Sequence, residues 1–551
     1  MNRRRAAGWL LACGLTVGSF ARAGGESAIR AEDLKEWLTY VASDELEGRA
    51  TYSAGLGLAA GYIQQHLAEW RVTPSGDADG YLQTVKVQSV KAKSRSTVTV
   101  RVGTESATFK DGDAVRFTAN AGASRQLTLD RVEFVGYGLD LPAAGHADYG
   151  GKGVEGAAVV FLGGDGPKTI DAGKYRRILS GRGRGALDQH GAAAAVGPFA
   201  ARPQSRQRGD APDRPSSSPD FTTTRRLDQP IPPSVTAGDA FFEFLFSQAP
   251  VRYRDLKRRA AAGEELPRFH LDGVSLTFNV DVDYEVVRTQ LTHNVVGIVQ
   301  GSDPQLKQTY VAFGAHYDHV GYANDDPTAR PAAAPGRVTA TAPSDRIWNG
   351  ADDDGSGTVA LLALAKAFAT GESRPKRSLL FVWHAGEERG LLGSQYFADS
   401  PAVPIDRITA QLNVDMIGRN RNDDSAEGNT VYLVGSDRIS TELHDVSRAA
   451  NAALAAPMTL NYEFNDPSDL EQLYYRSDHY SYAAKGVPII FFTTGLHPDY
   501  HANTDEVSRI EFDKMTRITQ LIYATGWRLA DLDHALLRDR LGPRAGKGTG
   551  E

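Results

Sequence analysis

Six acidic and basic side chains in the second half of this chain have the types and spacing needed to hold two metal ions and move a proton. His316 ends the run YVAFGAH, and Asp353 is the middle carboxylate of NGADDDGSG. Glu387 and Glu388 follow LLFVWHAG, Asp415 ends AQLNVD, and His501 lies in PDYHANTDE. Counting His316, Asp353, Glu388, Asp415 and His501 as ligands gives two imidazoles and three carboxylates. That mixture suits zinc better than calcium or magnesium, which prefer all-oxygen shells. Glu387 is then left over as a general base.

Each residue has a plainer reading that must be weighed. A histidine after a strand is commonly a packed structural residue, but Asp318 stands two positions beyond His316 and could hold its imidazole from behind. His319 reads as a pocket or supporting residue rather than a ligand. Asp352, Asp353 and Asp354 repel one another unless a cation compensates, although an acidic loop near the start of the following helix would use the helix dipole instead. Two adjacent glutamates could be a solvated helix start. Alternatively they divide their labour, Glu388 binding metal and Glu387 carrying the proton to the leaving amine. Asp415 follows an apolar strand, where an unpartnered charge is costly. Tyr500 precedes His501, and its hydroxyl could donate to an oxyanion or simply pack at the loop base.

The elements that must position these residues show in the apolar patterning. From Asn294 onward, runs such as NVVGIV, TYVAFGA, SLLFVWHA, AQLNVDM, TVYLVG and PIIFFTT alternate with helical stretches and end in a helix around EFDKMTRITQLIYATGWRLADL. Strands without polar alternation are expected where helices cover both faces, which implies an α/β fold with a mainly parallel sheet. The candidate ligands sit at carboxyl ends of these runs, where open α/β sheets build their sites.

Upstream, residues from about 30 to 90 read as helical from AEDLKEWLTYVASDEL and AAGYIQQHLAEW. GLGLAAG touches a dinucleotide-binding fingerprint but lacks the preceding strand. From about 96 to 290 short alternating runs punctuated by glycine predict a β-rich insert, within which GAAVVFLGG and GALDQHGAAAAVG suggest strand, small helix and strand. Residues 202–233, rich in Pro, Ser, Asp and Arg, read as a mobile loop. The arginines there and in VRYRDLKRR read as a solvated face rather than a docking patch.

With 551 residues, 41% apolar and 23% charged, the chain has the makeup of a multi-domain globular protein. A formal net charge of -7 argues against nucleic acid as a partner. Arg3, Arg4 and Arg5 precede the apolar AAGWLLACGLTVGSF, and Ala21-Arg22-Ala23 supplies small residues for cleavage, so residues 1–23 read as an export signal. No later run reaches the roughly 20 apolar residues of a membrane span. The single cysteine, Cys13, falls inside that signal; a lipid anchor there is the alternative reading.

Taken in order, AHYDH, GADDDGSG, GEERGLLGS, NVDMIG, SDHYSY and DYHANTDE resemble the M28 family of zinc peptidases, mostly aminopeptidases, from about Asn294 to Leu532. The resemblance implies a three-layer α/β/α, phosphorylase/hydrolase-like domain. It implies that Asp353 bridges two zinc ions, with His316 and Asp415 at one and Glu388 and His501 at the other. Glu387 is then the general base and Asp318 an orienting residue, and the peptide between Asp353 and Asp354 is cis. SDELEGR and the insert resemble family members carrying a protease-associated (PA) domain. Asp478 and His479 resemble a family pocket motif and are expected to shape the cleft, and the segment 320–348 to form a pocket rim or a solvent loop.

The organisation expected is a signal at 1–23, a helical segment of the peptidase domain at 24–95, a PA-type insert at 96–290, the catalytic domain at 291–540 and a flexible tail at 541–551. The function expected is an exported dizinc aminopeptidase acting on peptides through a metal-bridging hydroxide. The alternatives are a single-zinc acyltransferase resembling glutaminyl cyclase, against which His316 speaks, and a non-catalytic peptide-binding module.

Overall fold

The computed structural model describes residues 25–150, 153–199, 220–323, 342 and 344–540. The proposed signal with Cys13, the first part of the polar segment 202–233, most of 324–343 and the tail lie outside these residues.

A ten-stranded sheet organises the molecule, with Ser378–His384, Tyr310–His316, Ile408–Val414 and Ile489–Thr493 adjacent and parallel at its centre. Their side chains alternate between two apolar layers. Val311, Phe313, Leu379, Phe381 and Trp383 point into a core shared with the helices Ala31–Val41, Ala54–Glu69, Gly357–Thr370 and Phe512–Asp531. Ala312, Leu380 and Val382 point the other way, onto Phe397, Tyr474 and Tyr482. With both faces covered, polar alternation would bury unpaired polar groups, which is why these runs are continuously apolar. The result is three layers, helix on sheet on helix.

The parallel arrangement is confined to this centre and to one edge pair, Thr430–Val434 with Thr459–Asn461. Elsewhere the sheet is antiparallel: Val282–Val299 pairs antiparallel with both Ser378–His384 and Leu82–Ser94, and Thr430–Val434 antiparallel with Ile489–Thr493. The sheet is therefore mixed.

Two expectations about the first half need correction. The helical reading of 30–90 holds for Ala31–Val41 and Ala54–Glu69, but Leu82–Ser94 is a strand whose Val85 and Val87 alternate into the protein. The loop expected to run to 233 ends earlier, because Asp220–Thr223 forms an edge strand on Leu82–Ser94 and leads into a short helix, Thr224–Leu227.

The β-rich insert is reached through an antiparallel ribbon in which Ser94 pairs with Val282 and Leu82 with Val295. Beyond it lie a six-stranded and a four-stranded sheet with their own core around Phe134, Phe241, Phe246 and Leu276. The expected strand, helix and strand are Ala158–Val160, Arg176–Asp188 and Ala194–Pro198. The helix leans on the larger domain: the Arg184 guanidinium lies 4.1 Å over the Tyr475 ring, and Gln189 donates to the Tyr475 hydroxyl. No helix among the described residues is long and apolar enough to cross a membrane.

Candidate metal centre

The carboxyl ends of the central strands converge on one buried cluster. His316 closes its strand, Glu387 and Glu388 follow Ser378–His384, and Asp415 follows Ile408–Val414. Asp353 sits before the helix Gly357–Thr370, and His501 lies in the loop beyond Ile489–Thr493. Asp353 is at the middle of the cluster. Its Oδ1 is 3.2 Å from His316 Nε2 and its Oδ2 is 3.1 Å from His501 Nε2. On one side His316 Nε2 is 3.7 Å from Asp415 Oδ2; on the other His501 Nε2 is 3.1 Å from Glu388 Oε2. Five side chains from five separate segments thus form two groups that share one carboxylate.

The flanking aspartates do different work. Asp354 Oδ2 accepts from the His316 N–H and its Oδ1 from the Gly357 and Met416 N–H groups, so both oxygens are committed to backbone. It lies within reach of His316 and Asp415 as a possible donor, but those three bonds make it a clamp on the loops instead. Gly357 is required there, because a Cβ would stand 2.3 Å from both Asp354 Oδ1 and the Val414 carbonyl oxygen. Asp352 Oδ1 accepts from Gly418 N–H, and its Oδ2 is 3.2 Å from His497 Nε2. The Asp353–Asp354 peptide is cis.

Electrostatics within the cluster follow from burial and opposite charge. Burial opposes the charge of Asp353, yet the two imidazoles hold its carboxyl well below the usual carboxylate range. Burial likewise opposes Glu388, which His501 brings down to about 2. His501 is pushed up to about 11 against its desolvation, chiefly by Glu388. Glu387 differs: burial and the adjacent Glu388 push its carboxyl well above its ordinary value.

Asp318 orients its surroundings in a way the sequence does not show. His316 Nδ1 meets the main-chain carbonyl of Asp318 at 3.0 Å, whereas the carboxylate is 3.8 Å away. The carboxylate accepts instead from Thr51 Oγ1 at 2.8 Å and from the Glu387 N–H at 3.1 Å, so it fixes the glutamate pair. His319 is fully buried, with Nδ1 2.9 Å from Glu388 Oε1. Tyr500 lines the cavity beside the cluster, its ring stacked on His501 with centroids 4.0 Å apart.

Several supporting residues escape sequence reasoning. Ser477 Oγ donates to Asp415 Oδ2 at 2.7 Å and accepts from Asn413. The Arg49 guanidinium is buried and donates to the carbonyls of Val41, Tyr317, Asn349 and Gly350, tying the N-terminal segment to the His316 and Asp353 loops. Apart from Val41, their partners lie tens to hundreds of positions away, beyond any local pattern. The only hint is that Arg49 and Thr51 fall in and beside SDELEGR.

Asp478 and His479, expected to shape the cleft, do not themselves line the cavity. Both are buried behind its wall, where His479 stacks on Phe491 and its Nε2 lies 2.8 Å from the Tyr474 carbonyl oxygen. Burial pushes the His479 imidazole down to about 3, and burial with the nearby His316 does the same to His384. Both stay neutral in the folded state while the unfolded chain takes up protons below its ordinary value near 6.5. Stability is therefore lost as pH falls from about 6.5 toward 3, by about 2 kcal/mol for each histidine at pH 5. Metal-free protein is expected to show a lower urea midpoint at pH 5 than at pH 7, and His479→Gln a smaller drop; an equal drop would contradict this origin.

Residues 294–526 match the family model described as Peptidase family M28. Leucine aminopeptidase 1 of Trichophyton equinum is 26% identical over 238 residues, covering 42% of this chain and 56% of that protein. A probable zinc metalloprotease of Phaeosphaeria nodorum (strain SN15 / ATCC MYA-4574 / FGSC 10173) is 28% identical over 270 residues, covering 43% and 52%. This chain thus spans about half the length of these relatives. Among solved structures, an aminopeptidase from Aneurinibacillus sp. strain AM-1 aligns over 94% of this chain and 96% of its own, with 18% identity and a TM-score of 0.43.

Proposed function

Taking residues 294–526 as a domain of peptidase family M28, we propose that the protein is an exported dizinc aminopeptidase that removes N-terminal residues from peptides. One observation carries the reading: His316 and Asp415 on one side, and Glu388 and His501 on the other, meet across the single carboxylate of Asp353. Two imidazoles and three buried carboxylates are a donor set that fits zinc. In this reading Asp353, His316 and Asp415 would hold one ion, and Asp353, Glu388 and His501 the other. When bound, the two ions would supply Lewis acidity to a water and to the scissile carbonyl.

The chain's own groups do the rest. Glu387, raised in pKa and held through its N–H by Asp318, takes a proton from the attacking water and returns it to the leaving amine. Tyr500 has its hydroxyl kept protonated by burial and close to the Arg476 guanidinium, and it donates to the oxyanion as it develops. Asp318 is a positioning residue. Export rests on residues 1–23 and the PA-type identity of the insert on the sequence resemblance.

Profiling zinc-loaded protein on a peptide library with free and acetylated N-termini tests the reading. Release of single N-terminal residues from free peptides alone is expected. Internal cleavage, or cyclisation of N-terminal glutamine, would overturn it.

A further inference from the structure

Among the described residues, one guanidinium lines the cavity around the cluster. Arg476 lines it together with Glu387, Tyr500 and the apolar side chains of Leu473 and Phe491. The guanidinium is held from two sides: Nη1 donates to Glu471 Oε2 at 2.8 Å, and Nη2 to the Tyr500 hydroxyl at 3.4 Å. Glu471 is not its own. The same Oε2 lies 3.4 Å from Nη2 of Arg177, on the insert helix Arg176–Asp188. Two guanidiniums therefore divide one carboxylate that is itself 43% exposed, while the Arg476 side chain is only 22% exposed. A half-buried arginine whose anionic partner can turn outward to a second arginine is set up to exchange that partner for another carboxylate. The planar fork of a guanidinium matches a carboxylate at two points, which a lysine could not do.

Resting on the aminopeptidase reading above, we infer that Arg476 is a specificity residue that takes a substrate carboxylate close to the scissile bond. Arg476 and Glu387 line the same small cavity, so an anion at the guanidinium is within about one residue of the reacting carbonyl. Two sources supply that chemistry: the C-terminal carboxylate of a dipeptide, or an acidic side chain following the cleaved bond. Leu473 and Phe491 give the neighbouring wall an apolar character that accepts an aliphatic residue.

Steady-state kinetics of the full-length, zinc-loaded protein on two matched pairs tests this. Leu-Leu against Leu-Leu-amide reads the terminal carboxylate; Leu-Asp-amide against Leu-Asn-amide reads the side chain. The wild type is expected to favour the charged member of at least one pair by tenfold or more in kcat/KM, mainly through KM. Arg476→Gln is expected to abolish that preference while the neutral member changes less than the charged one, and Arg476→Lys to restore part of it. Equal rates within both pairs for the wild type overturn the proposal. So does a uniform loss in Arg476→Gln with the preference intact, which would leave Arg476 only a support for Tyr500. No cleavage of any of the four sinks the aminopeptidase reading, and this inference with it.

Discussion

Glu387→Gln is expected to leave the zinc content unchanged and to lower kcat by roughly 10²- to 10⁴-fold. The amide keeps the shape of the side chain and the backbone N–H that donates to Asp318, but it cannot accept a proton. No ion pair joins Glu387 to His316 or His501, whereas Glu388 lies 3.1 Å from His501 Nε2, so the change spares the proposed ligand set. Burial already holds the Glu387 carboxyl well above its ordinary value, which makes it a stronger base than an exposed glutamate. Zinc content near two per chain with activity within a few-fold of wild type would remove Glu387 from that role. Loss of zinc in this variant would make Glu387 a ligand instead.

Asp353→Ala is expected to remove both metal sites together and with them all measurable turnover. Its two oxygens are the link between the groups, one toward His316 at 3.2 Å and the other toward His501 at 3.1 Å. Without them, His316 and Asp415 on one side and Glu388 and His501 on the other keep only two donors each, too few for a closed tetrahedral shell. Elemental analysis after dialysis should find well under one zinc per chain; one tightly held zinc would show that Asp353 serves a single ion. Alanine at the neighbouring Asp354 is a different experiment, because that side chain accepts three backbone N–H groups and its loss would loosen the loops.

Much of the site was legible because each candidate ligand follows an apolar strand or sits in a short polar loop, and parallel strands bring their carboxyl ends to one edge. Residues 294–526 match the model of peptidase family M28, and the candidate ligands lie in the segments that the structure brings together there. What was not legible depends on contacts remote in sequence. Arg49 reaches Tyr317 and Gly350, and Thr51 reaches Asp318, across more than 260 positions, and nothing local marks them. The role of Asp318 was half legible: its position beside His316 is informative, but which of its oxygens meets the imidazole depends on the backbone path.

The misread elements have physical reasons too. Leu82–Ser94 follows two helices, and lysines and serines dilute its inward alternation of Val85 and Val87, so the local sequence does not mark the change of period. Asp220–Thr223 closes a polar stretch whose composition predicts no order, yet its backbone pairs with the free side of Leu82–Ser94; an edge strand needs only the ladder, not an apolar sequence.

The central claim is that Asp353 joins two metal sites. Anomalous diffraction at the zinc edge, from crystals soaked in zinc, tests it most directly. Two peaks are expected, one between Asp353, His316 and Asp415 and the other between Asp353, Glu388 and His501. A single peak, or two that do not share Asp353, would contradict the account.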